Sequence, residues 1–532
     1  MSDTASAALD VRLVNTFASP YENAVATAKT CYSSRGIVSA GDVAGTSEMA
    51  ADVLERKARA RDRIAKSIFE AGHHTTLQHA HFQFALSGVS RQFLWTFLHS
   101  HPFYNSEQVS QRYVTVKPDQ VVVPPLKGEA RAVFEARVEE QMGEYRELCE
   151  LLFPVCEKAY FDRFEARSKQ PEKYAKEIQK RAQEVARYVL PLATQAYLYH
   201  TVSGLTLLRY WRLAETFDAP WEQRLVLGRM VEEMLRADPL FERILQDPLP
   251  IESSPEFAYF ESAGLTGEDA LRDRDGWARS FDEALGDKVS LLVDYKARNE
   301  ETVAQAVRDV FGVGPDRISD DEAIDLVLDP AKNGLLGETM NVTTLSKLTR
   351  VIHHASYTFR KRISHTADSQ DQRHRMTPAS RPCLRGYLSE APDVVVPDLV
   401  RADAKVQAAF DESMARTWGC LDRLRALGVP DEFRAYVLPN AVAIRFHESS
   451  DLLNLHHKLR MRLCYNAQEE IWRASRDEAM QVRDVNPRLG RFLLPPCTVR
   501  HLAKRTPTCP EGTRFCGVRV WHLEPEAWAR TI

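Results

Sequence analysis

Side chains able to do chemistry gather in three stretches of this sequence. YNSEQVSQRY at 104–113 and HTADSQDQRH at 365–374 each carry a Gln-Arg pair with an acidic residue five places before the Arg, so one chain holds two versions of a polar segment. Further on, Asp451, Asn454, Lys458 and Arg462 follow one another at intervals of three, four and four residues, which puts them on one face of a helix. Leu452, Leu455, Leu459 and Leu463 form the apolar stripe beside them. Spacing alone fits a surface helix with solvated charges equally well. The third stretch is the tail, LPPCTVRHLAKRTPTCPEGTRFCGVRVW from 494. Its Cys497, His501, Cys509 and Cys516 are three soft thiols and an imidazole, a set suited to tetrahedral zinc or, as a second choice, an iron–sulfur cluster. A loop-rich tail with unpaired thiols is the plain alternative. The adjacent pairs His73-His74 and His456-His457 point to different sides of their elements, so neither chelates a metal alone.

The elements that must position these groups occur in two copies. VRLVNTFASPYENAVATA at 11–28 matches VSLLVDYKARNEETVAQA at 289–306 without a gap, each reading as an apolar strand, a turn and a helix. PDQVVVPPL at 118–126 matches PDVVVPDLV at 392–400, and RYVLPLA at 187–193 matches RAYVLPNA at 434–441. Matches in the same order indicate a tandem duplication, 1–265 and 266–532, joined through the Pro-, Gly- and Asp-rich region 247–287. Strands alternating with long helices predict an α+β fold, each repeat a sheet flanked by helices.

Composition sets the outer bounds. The chain has 532 residues, 44% apolar and 27% charged, with a formal net charge of −4. These values describe a globular protein and give no basic surface for a nucleic-acid polymer or an anionic membrane. No apolar run is long enough for a membrane span and the start shows no signal peptide; with nine largely isolated cysteines, the expected compartment is the cytoplasm.

The first repeat resembles the flavin-dependent thymidylate synthases, whose signature runs R-H-R, two residues, Ser, one, Asn-Glu, one, Ser, one, Arg, after a Gly-His…Glu-His segment and a Ser-Arg pair. It shows GHHTTLQH at 72–79, GVSR at 88–91 and HSHPFYNSEQVSQRYV at 99–114, with His99-Ser100-His101 in place of the triplet. The second repeat shows RKRISHTADSQDQR at 360–373, which keeps Arg360 and Arg362 but has Asp371 at the Ser. Its counterpart of GHHTTLQH is expected in GLLGETMN at 334–341, without the histidines. LPNAVAIRFHESSDLLNLHHKLRMRLCYNAQEEI at 438–471 is similar to the family's C-terminal helix, and the corresponding YHTVSGLTLLRYWRLAETF of the first repeat has no clear equivalent.

This resemblance implies FAD held by His79, Glu107, Arg360, Lys361, Arg362, Asp451 and His457. It implies dUMP bound by Ser110, Gln111, Arg112, Arg187 and Arg434, and an activating Arg462 over the uracil. The reaction would be reductive methylation of uracil C5 with methylenetetrahydrofolate and NADPH, giving dTMP. Asp451 stands where the family has a flavin-contacting Asn. Family members are tetramers with shared sites, so a duplicated chain is expected to form a homodimer in which each repeat keeps what the other has lost. The alternatives are the same fold acting on another uridine nucleotide and a non-catalytic nucleotide-binding descendant.

Overall fold

A computed structural model describes residues 9–99, 103–117, 120–215, 218–263, 267–383 and 387–530. The chain forms two compact units: 1–142 with 191–270 and 419–438, and 143–190 with 271–418 and 439–532. Among the described residues no helix is long and apolar enough to cross a membrane.

The first unit is built on β1 (Asp10–Thr16), β2 (His81–Ser90), β3 (Tyr104–Gln108) and β4 (Gln195–Ser203), antiparallel in the order β1-β2-β4-β3. Helices α1 (Arg91–His99), α2 (Gly128–Arg163), α3 (Gly204–Arg212) and α4 (Pro220–Ala237) follow their strands or the loops after them. Alternation sets the faces: Phe82, Phe84 and Leu86 of β2 and Ala196, Leu198 and Val202 of β4 point into the core.

The second unit repeats this plan with β5 (Ser290–Tyr295), β6 (Ser356–Ser364), β7 (Ala379–Ser380) and β8 (Ala443–Asp451), in the order β5-β6-β8-β7. Its helices are α5 (His365–Asp371), α6 (Ala404–Ala426), α7 (Leu452–Arg462) and α8 (Glu469–Val485). Equal strand order in both units bears out the expected pair of α+β repeats. The division between units falls inside α2 and α6, so each unit takes in a segment from the other half of the sequence.

Those segments are locked by the same buried device. Ser90 ends β2 and caps α1 by accepting from the Phe93 amide, and its hydroxyl donates to Glu222 of α4 at 2.5 Å. Tyr436, from the second half of the chain, donates to that carboxylate at 2.7 Å. In the second unit Ser364 caps α5 and donates to Glu470 at 2.6 Å, and Tyr188, from the first half, donates to Glu470 at 2.6 Å. The RYVLP and RAYVLP matches thus mark the exchanged segments. A carboxylate in a core needs such donors, and charge-assisted bonds are the strong ones. Tyr188→Phe and Tyr436→Phe should each lower unfolding free energy by about 1.5–3 kcal/mol in urea titrations, with a larger loss when combined.

Candidate active site

Under the inner face of the second sheet lies a cluster of fully buried charges. Lys361 of β6 reaches Glu478 at 2.6 Å, Glu448 at 2.9 Å and Asp371 at 3.2 Å. Lys458 of α7 reaches Asp371 at 2.9 Å and also pairs with Glu448. Burial opposes the charge on Lys361, but Asp371, Glu448 and Glu478 outweigh it and hold its pKa well above the usual value. Burial also opposes ionisation of Asp371, and Lys361 and Lys458 outweigh it, so Asp371 is held well below the carboxylate range. Burial and the Asp371 charge push Glu448 up to about 7. With Glu448 protonated, two ammonium groups face two carboxylates and the cluster is balanced.

This arrangement corrects the expected flavin triplet. Lys361 faces inward with Tyr357, Phe359 and Ile363, all fully buried, and is committed to the cluster. Its neighbours stand on the opposite face of the strand: Arg360 lies over the Phe281 ring at 3.8 Å, and Arg362 pairs with Asp282 at 3.2 Å and donates to the Val394 carbonyl at 3.1 Å. Asp371 is likewise a core anion and occupies no phosphate-facing loop.

Strand pairing shows where the signature runs. Segment 104–108 is a strand, whereas 365–371 is the helix after β6, so the two polar segments are not structural equivalents. In β3, Ser106 pairs with His200, three residues before the helix cap Ser203; in β7, Ala379 pairs with Glu448, three before the cap Asp451. Ala379 therefore corresponds to Ser106, and counting back aligns Arg373-His374-Arg375 with 100–102. The second repeat thus carries an intact R-H-R at 373–375, in plain view in the sequence and hidden by the slipped register. Pro378, Ser380, Arg381 and Cys383 stand where the signature has Ser, Asn, Glu and Ser. Arg381 forms a fork on Asp368 at 2.7 and 2.8 Å. Of the first repeat's triplet, Ser100 and His101 lie outside the described residues, as does Arg385.

The same counting corrects two further expectations. Segment 72–79 precedes β2 as 347–354 precedes β6, so His354 is the counterpart of His79 and the histidine is kept. GLLGETMN forms a separate turn. The first repeat does have an equivalent of the C-terminal helix: Ser203 caps α3 as Asp451 caps α7, and Glu222 matches Glu470. Counting from either pair, the residue at the place of Arg462 is the buried Ala214.

Arg462 ends α7, where its Nε donates to His374 Nε2 at 2.8 Å and its Nη2 to the Gln370 carbonyl at 2.7 Å. Burial, then the Arg462 charge, hold the His374 pKa well below its usual value. A neutral ring with a free lone pair on Nε2 is what this bond requires. His374 and His457 rings meet edge to face at 6.2 Å, and His457 Nδ1 lies 3.1 Å from Asn341 Nδ2. Asp451 caps α7 through the Asn454 amide at 3.0 Å and pairs with His353 at 3.1 Å. Met340, Leu345 and Met376, next in sequence to these groups or on the same turn, are exposed apolar side chains.

Other expected residues fall elsewhere. His79 and Glu107 are exposed in the first unit, Gln111 is buried there, and Ser110 accepts from the Arg112 amide at 3.2 Å. Arg434 is buried in the first unit against Asp431, whereas Arg187 is buried in the second, with Nε on the Glu184 carbonyl at 3.1 Å. In the tail, Cys497, Cys509 and Cys516 line one small cavity together with Cys464, while His501 is exposed and packs on the rings of Trp521 and His522. His501 thus stands apart from the thiols it was grouped with. A cavity of about 360 Å³ opens in the second unit, lined by Arg181, Tyr188, Arg362, Glu470 and Arg473 among others but not by Arg462.

Comparison with known proteins agrees with the two-repeat plan. The family model "Thymidylate synthase complementing protein" matches twice, over residues 12–240 and 291–488. A flavin-dependent thymidylate synthase of Clostridium tetani is 29% identical over 43% of this chain and 83% of its own length. One from Geobacter sulfurreducens is 34% identical over 31% of this chain and 70% of its own.

Lys361→Met leaves an excess of buried carboxylate and should cost about 3–5 kcal/mol of stability in denaturant titrations. Glu448 gives a pH test. Its folded pKa of about 7 lies above its usual 4.5, so folding takes up a proton. Its contribution is present in full below pH 4.5 and is lost as pH rises through about 7. Glu448→Gln should remove that part of the pH dependence of thermal unfolding.

Proposed function

The chain belongs to the thymidylate synthase complementing protein family, and we propose that it is a flavin-dependent thymidylate synthase converting dUMP to dTMP by reductive methylation at uracil C5. The observation that carries this reading is Arg462 held by a neutral His374 within an intact R-H-R. A guanidinium so fixed cannot swing into solvent. Placed over a uracil, it favours loss of the N3 proton and raises electron density at C5.

The donor set suits a flavin. Arg373, His374 and Arg375 match the family triplet, Asn341 and His457 add polar contacts, and Met340, Leu345 and Met376 offer apolar surface to a planar ring. FAD would supply the redox chemistry, with methylenetetrahydrofolate as carbon donor and NADPH as reductant. The residues of this chain bind, orient and polarise. Ser110, Gln111, Arg112 and Arg187 are our candidates for the nucleotide phosphate, and His79 and Glu107 for further cofactor contacts. We take 1–265 and 266–532 as the duplicated modules, acting in the cytoplasm as a homodimer in place of a tetramer. Ala214 at the Arg462 position supports one working site per chain.

A second reading keeps the fold and the flavin but changes the uridine nucleotide. It is favoured by Pro378, Ser380, Arg381 and Cys383, which replace the signature's Ser, Asn, Glu and Ser.

Purified protein should be yellow, bind one FAD per chain, and release tritium from [5-³H]dUMP with dTMP formed. Arg462→Ala should lower kcat by about 10²–10³-fold while FAD stays bound. Absence of flavin, or growth failure of a thymidine-requiring strain carrying the gene, would argue for a descendant without catalysis. Tritium release only from another uridine nucleotide would establish the second reading.

A further inference from the structure

His374 and His457, both half-buried near Arg462, each have one ring nitrogen engaged, and the partner decides where the proton sits. His374 Nε2 accepts from Arg462 Nε at 2.8 Å, so a neutral His374 carries its proton on Nδ1. His457 Nδ1 lies 3.1 Å from Asn341 Nδ2. An amide nitrogen donates and cannot accept, so Nδ1 is the acceptor and the His457 proton sits on Nε2. The amide is itself oriented: Thr343 donates its hydroxyl to Asn341 Oδ1 at 2.8 Å, which leaves Nδ2 for the ring.

The surroundings keep both rings uncharged. Burial, then the charges of Arg462 and Lys458, lower the His374 pKa against the opposing pull of Asp371. Burial, then Arg460 and Arg462, lower that of His457.

The backbone shows why the amide matters for its side chain. Asn341 has φ 49° and ψ 64°, in the left-handed region where glycine and asparagine are the ordinary residues. Glycine would satisfy that backbone equally well. What asparagine adds is a hydrogen-bond donor fixed against His457.

We propose that Asn341 is a positioning residue that locks His457 in its Nε2–H tautomer, so that His457 and His374 offer two neutral N–H donors beside Arg462. The two rings meet edge to face, 6.2 Å between centroids, which is close enough for one planar ligand to touch both. Neutral donors suit the carbonyl oxygens and aromatic nitrogens of a heterocycle, whereas phosphate oxygens are better served by guanidinium forks. Asn341 thus selects the ring end of a ligand for this place. That the ring is a flavin rests on the function proposed above; the tautomer does not.

The test uses the full chain with ¹⁵N-labelled histidine, free of ligand and near neutral pH. The ¹⁵N–¹H spectrum should show His457 protonated on Nε2 and bare on Nδ1, with the signals assigned by their loss in His457→Gln. Asn341→Gly keeps the left-handed backbone and removes the amide, so the ring should divide between tautomers. Asn341→Asp turns the donor into an acceptor and should bring a proton onto Nδ1. FAD affinity should fall about 3–10-fold in Asn341→Gly, the worth of one neutral hydrogen bond. A wild-type His457 protonated on Nδ1, or a tautomer unchanged in Asn341→Gly, would overturn the lock, and the wild-type spectrum decides even if a variant does not fold. Unchanged FAD affinity in an Asn341→Gly protein whose tautomer has shifted would overturn the donor role. Wild-type protein that takes up no FAD counts against the proposed function and leaves the spectral result to judge the lock.

Discussion

Everything near Arg462 rests on five ionised or ionisable groups shut away from water. Lys361, Lys458, Asp371, Glu448 and Glu478 come from β6, α7, α5, β8 and α8, so one network ties together the elements that carry the site. Such a network is a poor source of net stability, because desolvation consumes much of the Coulomb gain. It instead specifies geometry, since its short contacts tolerate no slip of β6 against α7. Lys458 lies one turn before Arg462, so the anchor and the candidate catalytic group share a helix.

The first unit solves the same packing problem with rings. Counting from the matching caps puts Phe97, His200, Tyr210 and Met230 where the second unit has Asp371, Glu448, Lys458 and Glu478. Phe97 lies 4.6 Å from His200 and 4.8 Å from Tyr210, between ring centroids. These side chains are buried with Phe93 and Leu207 in an apolar core. One scaffold thus accepts an ionic or an aromatic filling, and only the ionic version retains the arginine. The difference between the repeats thus extends into the core, well beyond the surface loops.

Much of this was legible in the sequence. The duplication could be read because strand and Pro-flanked segments repeat in order, and equal strand order in both sheets confirmed it. The register of the signature could not be read by local likeness. Both polar segments hold a Gln-Arg pair, but β7 is only two residues long and α5 is shorter than α1, so matching by composition slid the segments past each other. Periodicity held the correction: Lys361 alternates with Tyr357, Phe359 and Ile363, which assigns it to the interior. The nearness of Cys464 to the tail thiols was hidden for a different reason. It lies far upstream of them, and only folding of the tail brings it to the cavity they line, whereas His501, close to them in sequence, packs on the rings of Trp521 and His522.

The exchanged segments bear on how such a chain could have arisen and been kept. Residues 143–190 complete the second compact unit, and 419–438 complete the first. Severing the gene at the linker would leave each product without a piece of its own interior and with a buried carboxylate, Glu222 or Glu470, short of its tyrosine donor. Each module thus relies on its sibling for a tyrosine, a need that separated halves could meet only by holding on to one another without a covalent link.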